Sequence, residues 1–258
     1  SSFPARRRLR MAVWIAFALL TGLVISVAVS LLRYDREQAL RRTESELLSL
    51  TRVLEEHVAR SFGETDNAIA DLALQLASQG GVDALTEKDL HTLLRQRDAH
   101  LPQAEYLYVE REDGSTVADS FELITPRAGT TDARLRATQA NHNSDMEIGA
   151  PTRSRHSVQW ITPLTRRIAD PGGKFAGLVG AAMSHDYFEG VYRDLQLSAD
   201  DTIIVQHAGR ALTLIRHPQV DALVGQSSGN AALALGPDQR SAIVTGADGP
   251  DQPQRITA

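Results

Sequence analysis

The 258-residue chain contains no cysteine, which excludes disulfides, thiolate zinc sites and cysteine nucleophiles at the outset. No Gly-x-x-x-x-Gly-Lys-Ser/Thr loop is present to cradle a nucleotide phosphate. One loose Gly-x-Ser-x-Gly match, "GQSSG" from Gly225 to Gly229, lacks what a nucleophile elbow needs, because the last histidine, His217, lies upstream of it. His142, His156 and His185 have no ligand-like spacing, so no metal site is expected. Acidic residues outnumber basic ones, 32 to 27. The formal net charge is −5, and setting aside Arg6, Arg7, Arg8 and Arg10, which precede every acidic residue, leaves −9 for the rest. A domain that acidic is a poor partner for nucleic acid. Apolar residues at 42% and charged residues at 23% still describe a folded chain, with room for one or two domains.

A single long apolar run stands out, "MAVWIAFALLTGLVISVAVSLL" from Met11 to Leu32. It is uncharged and reaches the roughly 20 residues that a bilayer-crossing helix needs. It exceeds the about 7–15 residues of a signal-peptide core, and no Ala-x-Ala cleavage site follows. The four arginines before it fix the N-terminus on the cytoplasmic side, so residues after 32 are expected in the periplasm of a bacterial inner-membrane protein. No second span follows.

Residues 36–78 read as one helix. Leu47, Leu50, Leu54, Val58, Phe62, Ile69, Leu72 and Leu76 fall at steps of three or four with one skipped turn. At 1.5 Å per residue such a rod spans ~60 Å. Its apolar stripe needs cover, either from a second copy near the membrane and a sheet further out, or simply from its own domain. Gly80-Gly81 breaks the helix, and a short helix follows. "EYLYVEREDGSTVADS" then alternates as strand, turn and strand around Asp113-Gly114. Residues 121–150 read as irregular with one short helix. "WITPLTRRIADPGGKFAGLVGAAM" forms a second hairpin about Asp170-Pro171-Gly172-Gly173, and "HDYFEGVYRDLQL" a helix leaving it. "DTIIVQHAGRALTLIRHP" repeats the strand–turn–strand pattern, so one α/β unit occurs twice. The second copy is short, and its last strand, in "PQRITA", reads as an unpaired edge of a truncated unit.

Candidate contact residues come from strand alternation. Trp160 and Thr162 share one face of their strand and Ile161 and Pro163 the other. Trp160 offers a flat apolar surface with one N–H donor, suited either to a small ligand or to plain core packing. Arg166 and Arg167 face opposite ways, so at most one enters a pocket. Arg166 there would grip a carboxylate with paired hydrogen bonds, whereas at a strand end it would be solvated. Tyr106 and Tyr108 share a face and could line the same cavity. Asp186, near a helix start, would accept an ammonium group or serve as a cap, and capping is the stronger expectation.

Several ordered blocks, "LYVEREDGSTVADS", "IGAP", "WITPLTRRI", "GKFAGLVGAAMSHDYFEGVY", "LIRHP" and "QRITA", resemble the double Cache (PDC) extracellular sensor region over roughly residues 35–258. The flavour is that of membrane-bound bacterial diguanylate cyclases and histidine kinases. The resemblance implies an α+β chain. A transmembrane helix and a long N-terminal helix would lead into two PAS-like domains with antiparallel sheets, the second incomplete. The expected divisions are a basic tail at 1–10, the span at 11–32, the long helix with a membrane-distal domain at 33–195, and a membrane-proximal domain at 196–258. Relatives carry an Asp-Arg-x-Tyr-Phe-like segment that lines the pocket. Here "DARLRA" takes its place, with Asp132 matching and Ala133, Leu135 and Arg136 departing. The implied role is a non-enzymatic, homodimeric sensor without cofactor, binding an amino acid, organic acid or similar metabolite and signalling to a cytoplasmic output domain. The alternative is a ligand-independent dimerisation or partner-binding module.

Overall fold

The computed structural model describes residues 14, 26, 30, 34, 49–121, 133–141, 143, 145–195, 201–207, 210, 212–227, 244–246 and 255–257. Of the expected membrane span only Trp14, Ser26 and Ser30 fall among them, and no described helix is long and apolar enough to cross a membrane. The chain divides into two compact units, His57–Val244 and Ser1–Glu56 with Thr245–Ala258.

Helix α1 covers residues 49–78. The stripe seen in the sequence is buried along its second half: Phe62, Ile69, Leu72 and Leu76 are all inside, whereas Leu50, Leu54 and Val58 are half-buried. Each fully buried side chain of this kind is worth roughly 1.5–3 kcal/mol, so residues 62–76 anchor the helix to its unit. A 3-10 turn at Val82–Ala84 leads to α2 (Glu87–Asp98), whose N-cap Thr86 accepts a hydrogen bond from the Asp89 amide at 3.2 Å. Helix α2 packs on the first two strands, β1 (Ala104–Arg111) and β2 (Thr116–Asp119).

The remaining elements of the main sheet are β3 (Glu147–Ile148), β4 (Thr152–Arg153), β5 (Trp160–Ala169) and β6 (Phe175–Ser184), with α3 (Ala133–Ala140) between β2 and β3. The strand order is β2-β1-β6-β5-β3, with β4 also on β5, and the described pairings are antiparallel. The long β5–β6 hairpin holds the centre. Its turn closes as the sequence suggests: Asp170 Oδ1 accepts from the amides of Gly172 and Lys174 at 2.9 and 2.8 Å, and Gly173 sits at φ +81°.

Alternation along β5 assigns the two faces. Thr165 meets Thr138 of α3 (Oγ1···Oγ1 2.6 Å), while its neighbour Arg166 grips Asp66 of α1 through Nε (2.5 Å) and Nη2 (2.9 Å). The sheet is therefore sandwiched between α1 and α3. At the start of β1, Gln103 is buried and donates to Ser61 O (3.3 Å) and Thr65 Oγ1 (3.1 Å), tying the sheet to α1 again.

Helix α4 (His185–Arg193) leaves β6 and is capped by Ser184, whose Oγ accepts from the Tyr187 amide at 3.3 Å. A second hairpin, β7 (Ile203–His207) with β8 (Leu212–His217), packs on α4. The terminal strand expected in "PQRITA" is present as β10 (Arg255–Thr257) and pairs with β9 (Val244–Gly246).

Gly177 on β6 has φ +147°, and a Cβ there would lie 2.3 Å from the Glu110 carbonyl oxygen. Gly177→Ala is expected to cost about 1–3 kcal/mol or more from overpacking and backbone strain. A denaturant titration checks this, and an unchanged midpoint would mean that the strand shifts freely there.

Candidate functional site

Tyr106, Tyr108 and Glu110 alternate with Leu107 and Val109 along β1 and face α3. This is the same face as Gly180, which pairs with Tyr108, and Thr165, which pairs with Gly180. A Cβ at Gly180 would stand 2.1 Å from Tyr108 Cζ, so the missing side chain is what lets the phenol lie flat across the sheet. Tyr106, Tyr108, Leu135, Ile161, Phe175, Leu178 and Ala182 form one buried apolar cluster beside a group of charged residues.

Those charges converge from three elements. Glu110 is fully buried. Its Oε2 accepts from Arg134 Nη2 of α3 at 2.8 Å, and its Oε1 accepts from Arg155 Nη2, in the segment between β4 and β5, at 2.9 Å. Arg134 Nη1 also donates to Tyr108 Oη (3.1 Å), and Arg155 Nη1 to Thr116 Oγ1 (2.7 Å). Both guanidiniums stand over the Tyr108 ring, 5.4 and 5.9 Å from its centre. Burial raises the Tyr108 hydroxyl above its usual pKa, with Arg134 opposing, and raises Tyr106 as well, so both phenols stay neutral hydrogen-bonding groups.

A second cluster adjoins the first. His156 stacks on Phe121 (4.5 Å between centres), meets Tyr106 edge-on (4.7 Å), and places Nε2 2.7 Å from Asp119 Oδ2. The segment carrying Arg155 and His156 is shaped by Ser154, whose Oγ donates to Glu105 (2.9 Å) and accepts from the His156 amide (3.1 Å). The arrangement brings two guanidiniums, two phenols and an imidazole together beside that apolar cluster. It suits recognition of a small polar molecule. Among the described residues, no group of histidine, aspartate or glutamate could hold a metal ion.

The residues singled out from sequence fall in four places. Tyr106 and Tyr108 sit together on the α3 face. Arg166 lies on the opposite face, bound to Asp66, whose hydrogen bond holds the guanidinium pKa above its ordinary value. Trp160 is half-buried at the start of β5. Its Nε1 donates to Asp221 (2.8 Å), while Arg153 stacks on its ring at 4.4 Å and also pairs with Asp221. Asp186 is exposed in the first turn of α4, where Ser184 supplies the cap. Asp132 lies outside the described residues. Glu110, Arg134, Arg155 and His156 escaped sequence reasoning. Glu110 had a signal in the Tyr106–Tyr108–Glu110 alternation, and Arg134 one in its place within "DARLRA".

On the α1 side, His185 Nε2 lies 2.9 Å from Thr162 Oγ1, and burial lowers its pKa from 6.5 to about 4. The unfolded chain binds a proton here below pH 6.5 that the folded chain refuses until about 4. The contribution of His185 to stability is thus complete above 6.5 and is lost as pH falls toward 4. Asp98 has the opposite sign: burial raises it from 3.8 to about 6, so stability falls as pH rises through that window. Comparing wild type with His185→Gln at each pH removes the Asp98 contribution. The advantage of the wild type is expected to shrink by on the order of 2–3 kcal/mol between pH 7 and 4.5, and parallel curves would contradict this.

No family model and no curated protein sequence matches the chain. Solved structures do. The extracellular domain of the putative histidine kinase rpHK1S-Z16 superposes with a TM-score of 0.66 at 25% identity, over 76% of this chain and 78% of that one. An extracellular ligand binding receptor from Desulfohalobium retbaense gives 0.55 at 15% identity, over 71% of this chain and 33% of that one. The periplasmic sensory domain of the Campylobacter jejuni chemoreceptor Tlp1 gives 0.55 at 13%, over 72% and 76%. With its central antiparallel sheet between a long N-terminal helix and α3, the chain shares the fold of these extracellular sensor domains, consistent with the Cache/PDC resemblance.

Proposed function

We propose that the chain is the small-molecule-sensing input of a transmembrane signalling receptor, with its ligand site on the α3 face of the main sheet. The carrying observation is the convergence of Arg134, Arg155, Tyr106 and Tyr108 on that face. The likeness to the sensor domain of a histidine kinase supports the same reading. Two guanidiniums over neutral phenols suit an organic acid or amino acid, whose carboxylate takes N–H donors while its carbon skeleton lies on the rings. No covalent step is involved. In this reading residues 11–32 span the inner membrane with residues 33–258 in the periplasm. Residues 33–195 form the ligand-binding membrane-distal domain and 196–258 part of a membrane-proximal one. Paired copies pass the signal to a cytoplasmic cyclase or kinase.

Signalling requires only that the ligand prefer one of two arrangements, and a tenfold preference corresponds to about 1.4 kcal/mol. A physical route exists for the coupling. Arg155 stands two residues from Arg153, which pairs with Asp221 just beyond β8, and Asp221 also holds Trp160. In this reading a shift of the 153–155 segment acts on the loop beyond β8. The competing reading, a ligand-independent dimerisation or partner-binding module, draws on Glu110, which already engages both arginines.

A thermal-unfolding screen of the full chain in detergent against amino acids and organic acids separates the two. A ligand at 100 times its Kd adds about 2.7 kcal/mol, a rise of about 5–10 °C for a domain of this size. Tyr108→Phe removes only the hydroxyl that receives Arg134 and is expected to weaken that response at a stability cost of about 0.5–1.5 kcal/mol. If no metabolite shifts the transition and the dimer forms regardless, the module reading prevails.

A further inference from the structure

We infer that Glu110 acts as an internal competitor at an anion seat on Arg155, so that a ligand's carboxylate must win this guanidinium from the protein's own side chain. The inference rests on the sensing reading and adds the regulation of that site. Glu110 is fully buried on a central strand, yet it is not one half of a simple ion pair. Two guanidiniums share its carboxylate, one on each oxygen. Glu110 therefore faces two cationic side chains with one carboxylate. The neighbouring acid, Asp119, is turned toward His156.

The two arginines are not equivalent. Arg134 is 12% exposed and held also by Tyr108, whereas Arg155 is 38% exposed and its other arm goes to Thr116. Water reaches Arg155, so its pair with Glu110 is the better screened and the easier to open. When Arg155 turns to an incoming carboxylate, Glu110 keeps Arg134 and no buried charge is stranded. The backbone is shaped to hold Glu110 in this place. A bulge interrupts the β1–β2 register between Val109 and Glu110, and Gly177 leaves room for the Glu110 carbonyl. Because the internal carboxylate is tethered beside its target, it sets the concentration at which an external one succeeds.

The test uses sodium acetate as the probe, with sodium chloride at equal ionic strength as control, on the full chain in detergent. Thermal unfolding is followed for wild type, Glu110→Gln, Glu110→Asp and Arg155→Ala. Glu110→Gln removes the competing charge at nearly constant shape. Its melting temperature is expected to drop, and its half-maximal acetate concentration to fall at least tenfold below that of wild type. Glu110→Asp keeps the charge but retracts it, and is expected to respond between the two even if the glutamine variant fails to fold. Arg155→Ala is expected to lose the acetate-specific response. An acetate response in Glu110→Gln or Glu110→Asp no stronger than in wild type would overturn the inference, leaving Glu110 a structural counter-ion. That outcome, with a metabolite still stabilising the wild type, would spare the sensing reading. A strengthened acetate response with no metabolite bound would instead uphold the competitor and sink the sensor.

Discussion

Adjacent side chains on β5 point to opposite layers, and the organisation of the larger unit follows from that constraint. Thr165 bonds to α3 and Arg166 to α1, so one strand fastens a helix to each side of the sheet. The β6 partner supplies what the ladder needs where side chains would collide. Gly180 makes room for the Tyr108 ring and Gly177 for the Glu110 carbonyl. Apolar residues on β6 fill the rest, with Leu178, Val179, Ala181, Ala182 and Met183 all buried. The hairpin is therefore the middle of the core and borders the candidate site.

Electrostatics divides the ion pairs by depth. Lys174–Glu112 and Arg97–Asp71 are solvent-exposed and long, 3.8 and 4.0 Å, and pairs of that kind contribute about 0–1 kcal/mol. The Glu110 cluster is different, because removing one partner of a buried pair costs about 3–5 kcal/mol. Stability alone is a weak reason for such a cluster, since apolar residues of similar volume hold a core as well or better. A charged group kept in place and partly open to water at Arg155 suits a surface whose partners exchange.

The candidate site joins three parts of the fold. Arg134 belongs to α3, Arg155 to the segment before β5, and Glu110 to β1, so one bound molecule would touch three elements. The same segment carries Arg153, whose contacts with Trp160 and Asp221 run to the loop beyond β8. Trp160, read from sequence as either a pocket aromatic or core packing, makes its contacts with Arg153 and Asp221 in that link. On the other face Arg166 and Gln103 clamp α1, the helix that in the sensing reading carries the signal.

Local pattern was enough for the longer elements, though not for the two-residue strands β3 and β4 or for β9. Apolar steps of three and four announced α1, Asp170 to Gly173 announced the hairpin turn, and alternation put Tyr106 beside Tyr108, because helix period, turn chemistry and strand period are properties of neighbouring residues. Alternation also showed that Arg166 and Arg167 part company, but it cannot say which face meets a helix and which meets the site. That choice belongs to the helices, and Asp66, 100 residues away, made it. Glu110 joins Arg134 and Arg155 across 24 and 45 residues for the same reason. No spacing rule links three charges brought together by sheet register and a covering helix, so the sequence alone determined the pieces and the composition of the chain, while only the tertiary packing decided which charges became a site.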